Sequence, residues 1–251
     1  MDETEELIGL MGRAAVVQMG HAPGFELSMI PGCVLALTGE PLIDFNSLTL
    51  GPNPDAEGFL QRSVARVKAR GLPMIAVLSP HVAARLAPAA RRLGLRPVGA
   101  VPLMVLRGTS PVGPVRRIDV VRVLGPDLVR TAGDLVAAAF DAPREAVARG
   151  IDAGITESAG VEWYVARDAG APVGVVCITP AGTTAGIWSM GTPPRHQHKG
   201  FGRALLTHVI DDYRRRGVER FFLTATAAGF PLYASLGFQT VAELSAWILE
   251  S

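Results

Sequence analysis

The sequence predicts an α+β fold: a mixed, largely antiparallel sheet flanked by helices, present twice along the chain. Three observations point there. Residues 118–251 alternate strand-like and helix-like runs in the order β-α-α-β-β-β-α-β-α-β. Residues 107–117, "RGTSPVGPVRR", interrupt the pattern with two prolines and two glycines, which places a linker between halves expected at 1–110 and 115–251. Residues 71–106 share the layout of 217–249: a glycine after a helix, a strand, a second helix, an LG turn and a long apolar strand.

Taken in order, "ELSMIP", "GCVLAL" and "LIDFNSLTL" read as the early strands of the first half. The second half opens on a strand at 118–124, and Gly125-Pro126-Asp127 then starts a helical run, "DLVRTAGDLVAAAF". A short helix begins at Pro143, a residue suited to a first helical position. "VEWYVAR", "APVGVVCIT" and "TTAGIWSM" follow as strands separated by "DAGA" and "PAG" turns, which suits antiparallel pairing. A helix from about Gly200 to Arg216 keeps Ala204, Leu205, His208, Val209 and Tyr213 near a 3.6 period, and Gly217 ends it. The strand "ERFFLTAT", the short helix "GFPLYASLG" and the strand "FQTVAELSAWIL" finish the chain.

Hydrophobic residues make up 49% of the 251 and charged ones 19%, enough apolar material for a substantial core. With 24 Lys+Arg against 23 Asp+Glu there is no basic excess, so no nucleic-acid partner is expected. Apolar runs such as "VPLMVL" are far short of a membrane span, and the acidic "MDETEELIGL" is unlike a targeting leader. The expectation is a soluble, cytoplasmic protein without a membrane partner. Cys33 and Cys177 lie far apart in apolar strands, which gives neither a disulfide framework nor a zinc spacing.

The stretch richest in chemistry is "RHQHKGFGRALLTHVIDDYRRRG", residues 195–217. A helix N-terminus carries unpaired N–H groups and partial positive charge, and glycine there lets an anion reach the main chain. Gly200 and Gly202 stand at that turn, with donors from Gln197, His198 and Lys199 just before it. A P-loop is excluded because Lys199 precedes the glycines, and a dinucleotide fingerprint fails at Leu205. His196, His198 and His208 have no nearby thiol or carboxylate, so no metal is expected.

"QHKGFG", Gln197 to Gly202, resembles the Q/R-x-x-G-x-G/A pattern of the GNAT superfamily of acyl-CoA-dependent acyltransferases. "LYASLGF", residues 232–238, is similar to that family's L-Y-x-x-x-G-F segment, and Pro194 also sits where the family often has a proline. The resemblance covers 118–251 and implies a GNAT-like sheet, acetyl-CoA as acyl donor, and a small-molecule or peptide amine as acceptor. It implies that main-chain groups around His198, Lys199, Gly200, Phe201, Gly202 and Arg203 hold the CoA pyrophosphate. Met190 and Thr192 would pair with the pantetheine amides, and Tyr233 would protonate the departing thiolate. The chain is expected to act as a monomer or homodimer.

The general base is unassigned. "TTAGIWSM" holds no Asp, Glu or His; Asp141, Glu157 and Glu162 are candidates that default to solvated charges, and Ser189 could orient a water. In the first half the corresponding chemistry is missing. "LGPNPDAEGFLQR" puts Asp55 and Glu57 where an anion would sit, and Ala90 stands four residues before Gly94, in the place of Tyr233. That half reads as a degenerate copy without a cofactor motif. An acyl-CoA-binding or interaction protein without turnover stays open as the alternative.

Overall fold

The computed structural model describes residues 2–108, 115–152, 155 and 160–250. Two compact units result: Met1–Leu103 together with Val241–Ser251, and Met104–Thr240. The linker expected at 107–117 falls partly outside the described residues.

The first unit holds helix α1 (Glu3–Met19), strands β1 (Glu26–Ile30), β2 (Cys33–Leu37) and β3 (Asn46–Leu50), α2 (Ala56–Ala69), β4 (Met74–Leu78) and α3 (Pro80–Arg92). The long β5 (Arg96–Arg107) starts in this unit, and β11 (Gln239–Leu249) ends in it. β1, β2 and β3 pair antiparallel in turn, β3 and β4 pair parallel, and β11 lies antiparallel to β4 from Ser245↔Leu78 to Leu249↔Met74. The end of the half expected at 115–251 is thus built into the first unit. The reason is apolar: Trp247 and Leu249 are buried in a core with Met74, Ala76, Leu86 and Leu95. The α1 helix packs on the Val34 face of the hairpin, with Gly12 against Val34. Successive strand residues point to opposite faces, so Leu35 faces the other side, toward α2.

The second unit holds β6 (Asp119–Arg122), α4 (Pro126–Phe140), α5 (Arg144–Val147) running into a π turn at Ala148–Asp152, and β7 (Glu162–Asp168). β8 (Ala171–Ala181), β9 (Thr184–Gly191), α6 (Phe201–Arg215), β10 (Arg220–Thr224) and α7 (Phe230–Ser235) complete it. β6, β7, β8 and β9 are successively antiparallel, and β9 and β10 are parallel across the α6 crossover. This is the mixed, largely antiparallel arrangement read from the sequence. The core lies between the sheet and α6, where Phe201, Leu205, Leu206, Val209, Ile210 and Tyr213 meet Val176, Ile178, Ile187 and Phe221. Their helical spacing puts one apolar stripe against the strands. The units repeat a motif: β3-α2-β4-α3 in the first has the order of β9-α6-β10-α7 in the second. Cys33 and Cys177 are both buried, and among the described residues neither is in a disulfide. Among the described residues no helix is long and apolar enough to cross a membrane.

Candidate active site and its closed counterpart

The cleft of the second unit begins with an extra residue. Val175 faces Gly191 and Cys177 faces Trp188, so β9 advances three residues while β8 advances two. Ser189 absorbs the excess with a left-handed φ of 46°. A bulge of this kind bends its strand and disrupts the ladder locally. On the other side, parallel pairing with β10 covers Thr184–Gly186 against Arg220–Phe222, and residues 187–191 run on beyond it. A strand bent away from its parallel neighbour offers main-chain donors and acceptors to an extended ligand.

That strand leads into the loop singled out above. Met190 and Thr192 are half-buried at its entrance, and Gln197, His198, Lys199 and Gly200 are exposed. Gln197 Nε2 donates to the Thr192 carbonyl at 3.1 Å, and Lys199 Nζ to the Arg195 carbonyl at 2.8 Å. His198 has φ 58° and Gly200, which caps α6, has φ 81°. Among the described residues no side chain caps that N-terminus, and no acidic residue lies in its first turn. The turn therefore presents free N–H groups and the positive end of a helix dipole.

The two glycines do different things. A Cβ on Gly200 would meet open space, with Arg116 Cβ nearest at 4.0 Å, so this glycine serves a left-handed turn and an open approach. A Cβ on Gly202 would stand 3.0 Å from Met190 Cε and 3.3 Å from Leu232 Cδ2. Gly202 seats the first turn of α6 on β9 and α7. Phe201 is buried beneath, with the Arg116 guanidinium 4.6 Å above its ring. Arg116, which also pairs with Asp168 at 3.0 Å, is a basic neighbour of this turn that sequence reasoning missed. It lies far away in sequence, and only the fold brings it near.

Tyr233 belongs to the same cluster. Besides Leu232 over Gly202, Arg203 Nη2 donates to Ser235 Oγ at 2.6 Å, so α7 is fastened to the start of α6 on both sides. The Tyr233 ring is 8% exposed, stands edge-on to Phe238 at 5.9 Å and lies against Gly229. Burial pushes its phenol up to about 12. Among the described residues its hydroxyl has no hydrogen-bond partner.

The base candidates separate. Glu157 lies outside the described residues. Asp141 is exposed at the left-handed C-cap of α4. Glu162 is no solvated surface charge: its oxygens accept from Arg216 at 2.7 and 2.8 Å and from the Tyr164 hydroxyl at 2.8 Å, with Arg122 at 3.6 Å. Arg216 holds its carboxyl down at about 2, far too acidic for a base near neutrality. It also meets the C-terminal end of α6, a helix of 15 residues and about 22 Å, while the loop is at the other end. Glu162 is a clamp. Its folded-state value is depressed from 4.5, so its stabilising contribution is full above that pH and fades as pH falls toward about 2. Glu162→Gln is expected to lower Tm by roughly 5 °C at pH 7, to leave turnover unchanged, and to flatten the acid side of the stability profile. Thermal melts between pH 2 and 7 check this.

The same motif in the first unit is shut. β3 and β4 stay paired to their ends, Leu50↔Leu78, and Ser79 N–H adds a bond to the Leu50 carbonyl at 2.8 Å. Glu5 of α1 occupies the mouth. Its Oε1 accepts from Ser79 Oγ at 2.8 Å, and its Oε2 lies 3.1 Å from where a Gly51 Cβ would be. Asp55 stands at the N-cap position of α2 without a capping hydrogen bond, Glu57 sits in its first turn, and Ala90 is wholly buried in α3. A carboxylate plug and an acidic helix start both repel a phosphate.

Comparison with known proteins bears on the family and the fold. Residues 134–238 match the model of the acetyltransferase (GNAT) family. Over 57 residues the chain is 42% identical to the [ribosomal protein bS18]-alanine N-acetyltransferase of Escherichia coli K12, covering 22% of this chain and 38% of that protein. The chain thus spans less than half the length of the curated relatives it matches. Among solved structures, a GCN5-related N-acetyltransferase from Kribbella flavida aligns over 98% of this chain and 95% of its own, with TM-score 0.73 and 16% identity. A tandem GNAT protein from the clavulanic acid biosynthesis pathway aligns over 98% and 94%, with TM-score 0.58 and 15% identity. At such identities the likeness concerns the fold, and it extends through both halves.

Proposed function

From the match of residues 134–238 to the GNAT family we propose that the chain transfers an acetyl group from acetyl-CoA to a primary amine, by direct attack within a ternary complex. One observation carries the reading: the bent end of β9 leads straight to a helix N-terminus left open by Gly200, with Tyr233 fastened beside it. Residues Gln197 to Arg203 fit a pyrophosphate because they combine orphan N–H groups, a positive dipole end and no acidic neighbour in the turn. The edge around Met190 and Thr192 fits the pantetheine arm.

The amine nitrogen forms a bond to the thioester carbon, and the carbon–sulfur bond breaks. A main-chain N–H near Met190 stabilises the oxygen that gains charge, as a donor fixed before reaction does best. Tyr233 gives its proton to the leaving sulfur and regains one from solvent. The ammonium proton of the tetrahedral species leaves to water, since β9 offers no carboxylate. Much of the acceleration comes from holding nitrogen and carbon within reach of each other.

The test joins two measurements on the full chain. Calorimetry with acetyl-CoA is expected to show one site per chain, because the first unit's counterpart is zipped and plugged. Release of free CoA thiol is then followed with a panel of amino acids, polyamines, aminoglycosides and N-terminal peptides. Turnover with at least one amine supports the reading. Tight binding with no turnover on any amine favours a non-catalytic acyl-CoA binder, and two equal sites per chain contradict the closure of the first unit.

A further inference from the structure

The first unit has its own cavity, distinct from the closed cofactor position. It holds about 320 Å³ between the β1–β2 hairpin and α2. Antiparallel register places Glu26 and Ser28 on the same face as Leu35, since Ser28 pairs with Leu35. From α2 come Phe59, Arg62, Ser63 and Arg66, spaced i, i+3, i+4, i+7 along one stripe. The sheet-facing side of α2 is apolar, with Ala56, Phe59, Leu60, Val64 and Val67 buried. Arg62 and Arg66 stand on its exposed flank, and Phe59 makes the cavity floor with Leu35; they are 2% and 3% exposed.

Two features make this a site for a solute rather than a fold defect. Ser63 is 3% exposed and lines the cavity, yet its hydroxyl has no partner among the described residues. Its oxygen opens on the cavity, where it can bond whatever enters. The charge balance is also fixed. Glu26 is spoken for on both oxygens, by Arg66 Nε and Arg70 Nη1 at 2.8 Å each, and Arg62 Nη2 pairs with Asp55 at 2.6 Å. Two arginines on one carboxylate leave a net positive charge, and among the described residues the Arg66 terminal nitrogens have no partner, which leaves them for a planar oxyanion.

We propose that this groove binds a small organic anion with an apolar body: a carboxylate on the Arg66 terminal nitrogens and the Ser63 hydroxyl, with a hydrocarbon or aryl portion on Leu35 and Phe59. The cavity volume lies at the small end of ligand pockets. The site is independent of acyl transfer in the second unit, and it gives the half that lacks cofactor chemistry a ligand of its own.

The test uses calorimetry on the full chain with 3-phenylpropionate, 3-phenylpropylamine, 3-phenylpropanol and phenyl phosphate. The carboxylate is expected to bind at least about tenfold more tightly than the amine and the alcohol, the size of one charge-assisted bond. Phenyl phosphate binding tighter still supports the oxyanion site and names a phosphate monoester as its source. Arg66→Gln should remove that preference and Ser63→Ala should weaken carboxylate binding about fivefold, with acetyl-CoA binding retained as evidence of folding. Equal affinity for all four probes, no heat with any of them, or a carboxylate affinity untouched by either variant overturns the proposal. The probe series on the unaltered chain decides the matter even where a variant fails to fold.

Discussion

Tyr233→Phe is expected to lower kcat by about a hundredfold while acetyl-CoA affinity stays within about threefold of the parent. The substitution removes one oxygen and keeps the ring that packs edge-on against Phe238 and over Gly229, so the site keeps its shape. What is lost is the proton for the leaving sulfur. A thiol of ordinary pKa near 8.5 is a tolerable leaving group even unprotonated, which puts the loss toward the lower end of the usual range for a positioned acid. The pH profile carries a second signature. Burial raises the phenol to about 12, so it stays protonated through pH 10, and kcat should show no fall from its ionisation there, where an ordinary tyrosine already titrates. The same shift has a sign for stability. The folded state holds this proton more tightly than the unfolded state, so the group's contribution wanes as pH rises from 10 toward 12. Steady-state kinetics on both proteins from pH 6 to 10.5 tests all of this. An unaltered kcat in the variant clears Tyr233 of the acid role.

The parts of this molecule that sequence could reveal are those in which the chemistry is local. Apolar runs between turns mark the strands, helix α6 keeps its stripe, and "QHKGFG" places glycine, donors and helix start within six consecutive residues. Each is a statement about neighbours along the chain, and each holds in the structure. The role of Gly202 was legible only in part: its position in the turn is local, but the reason for its missing side chain is Met190 and Leu232, one in a strand and one in another helix. Glu162 shows the opposite failure. A lone glutamate at a strand start reads as solvated, and nothing nearby announces that Arg216, 54 positions on, will take both its oxygens.

The first unit taught a related lesson. Asp55, Glu57 and Ala90 marked the lost cofactor chemistry by residue type alone. The stronger evidence, the zipped β3–β4 pair and the Glu5 plug, depends on α1, a helix the sequence reading did not assign. Gly9 and Gly12 interrupt its pattern, and Gly12 is needed because Val34 Cγ2 would lie 2.7 Å from a Cβ there. A glycine that weakens a helix in isolation can be required by the sheet beneath it. The placement of β11 follows from the same cause: its apolar run says that it is buried, and only tertiary pairing says against which strand.

Gly202→Val is expected to weaken CoA binding by about a hundredfold, the worth of one or two charge-assisted hydrogen bonds to phosphate. The valine Cβ alone would crowd Met190 Cε and Leu232 Cδ2, and its two further methyl groups have nowhere to go without lifting the first turn of α6. Lifting it turns the N–H groups away from the position they share with Gly200. Gly202→Ala places one carbon at those same distances from flexible side-chain ends, so a loss of only a few-fold is expected. The valine variant must be shown to fold, since an overpacked core costs about 1–3 kcal/mol and shifts Tm with it. Gly200→Ala separates the two effects. Its side chain meets open space, so packing is spared, but φ of 81° strains any residue with a Cβ and rotates the peptide that faces the phosphate. If both Gly202→Val and Gly200→Ala keep their fold by circular dichroism and bind CoA as the parent does by calorimetry, the pyrophosphate does not sit on this turn.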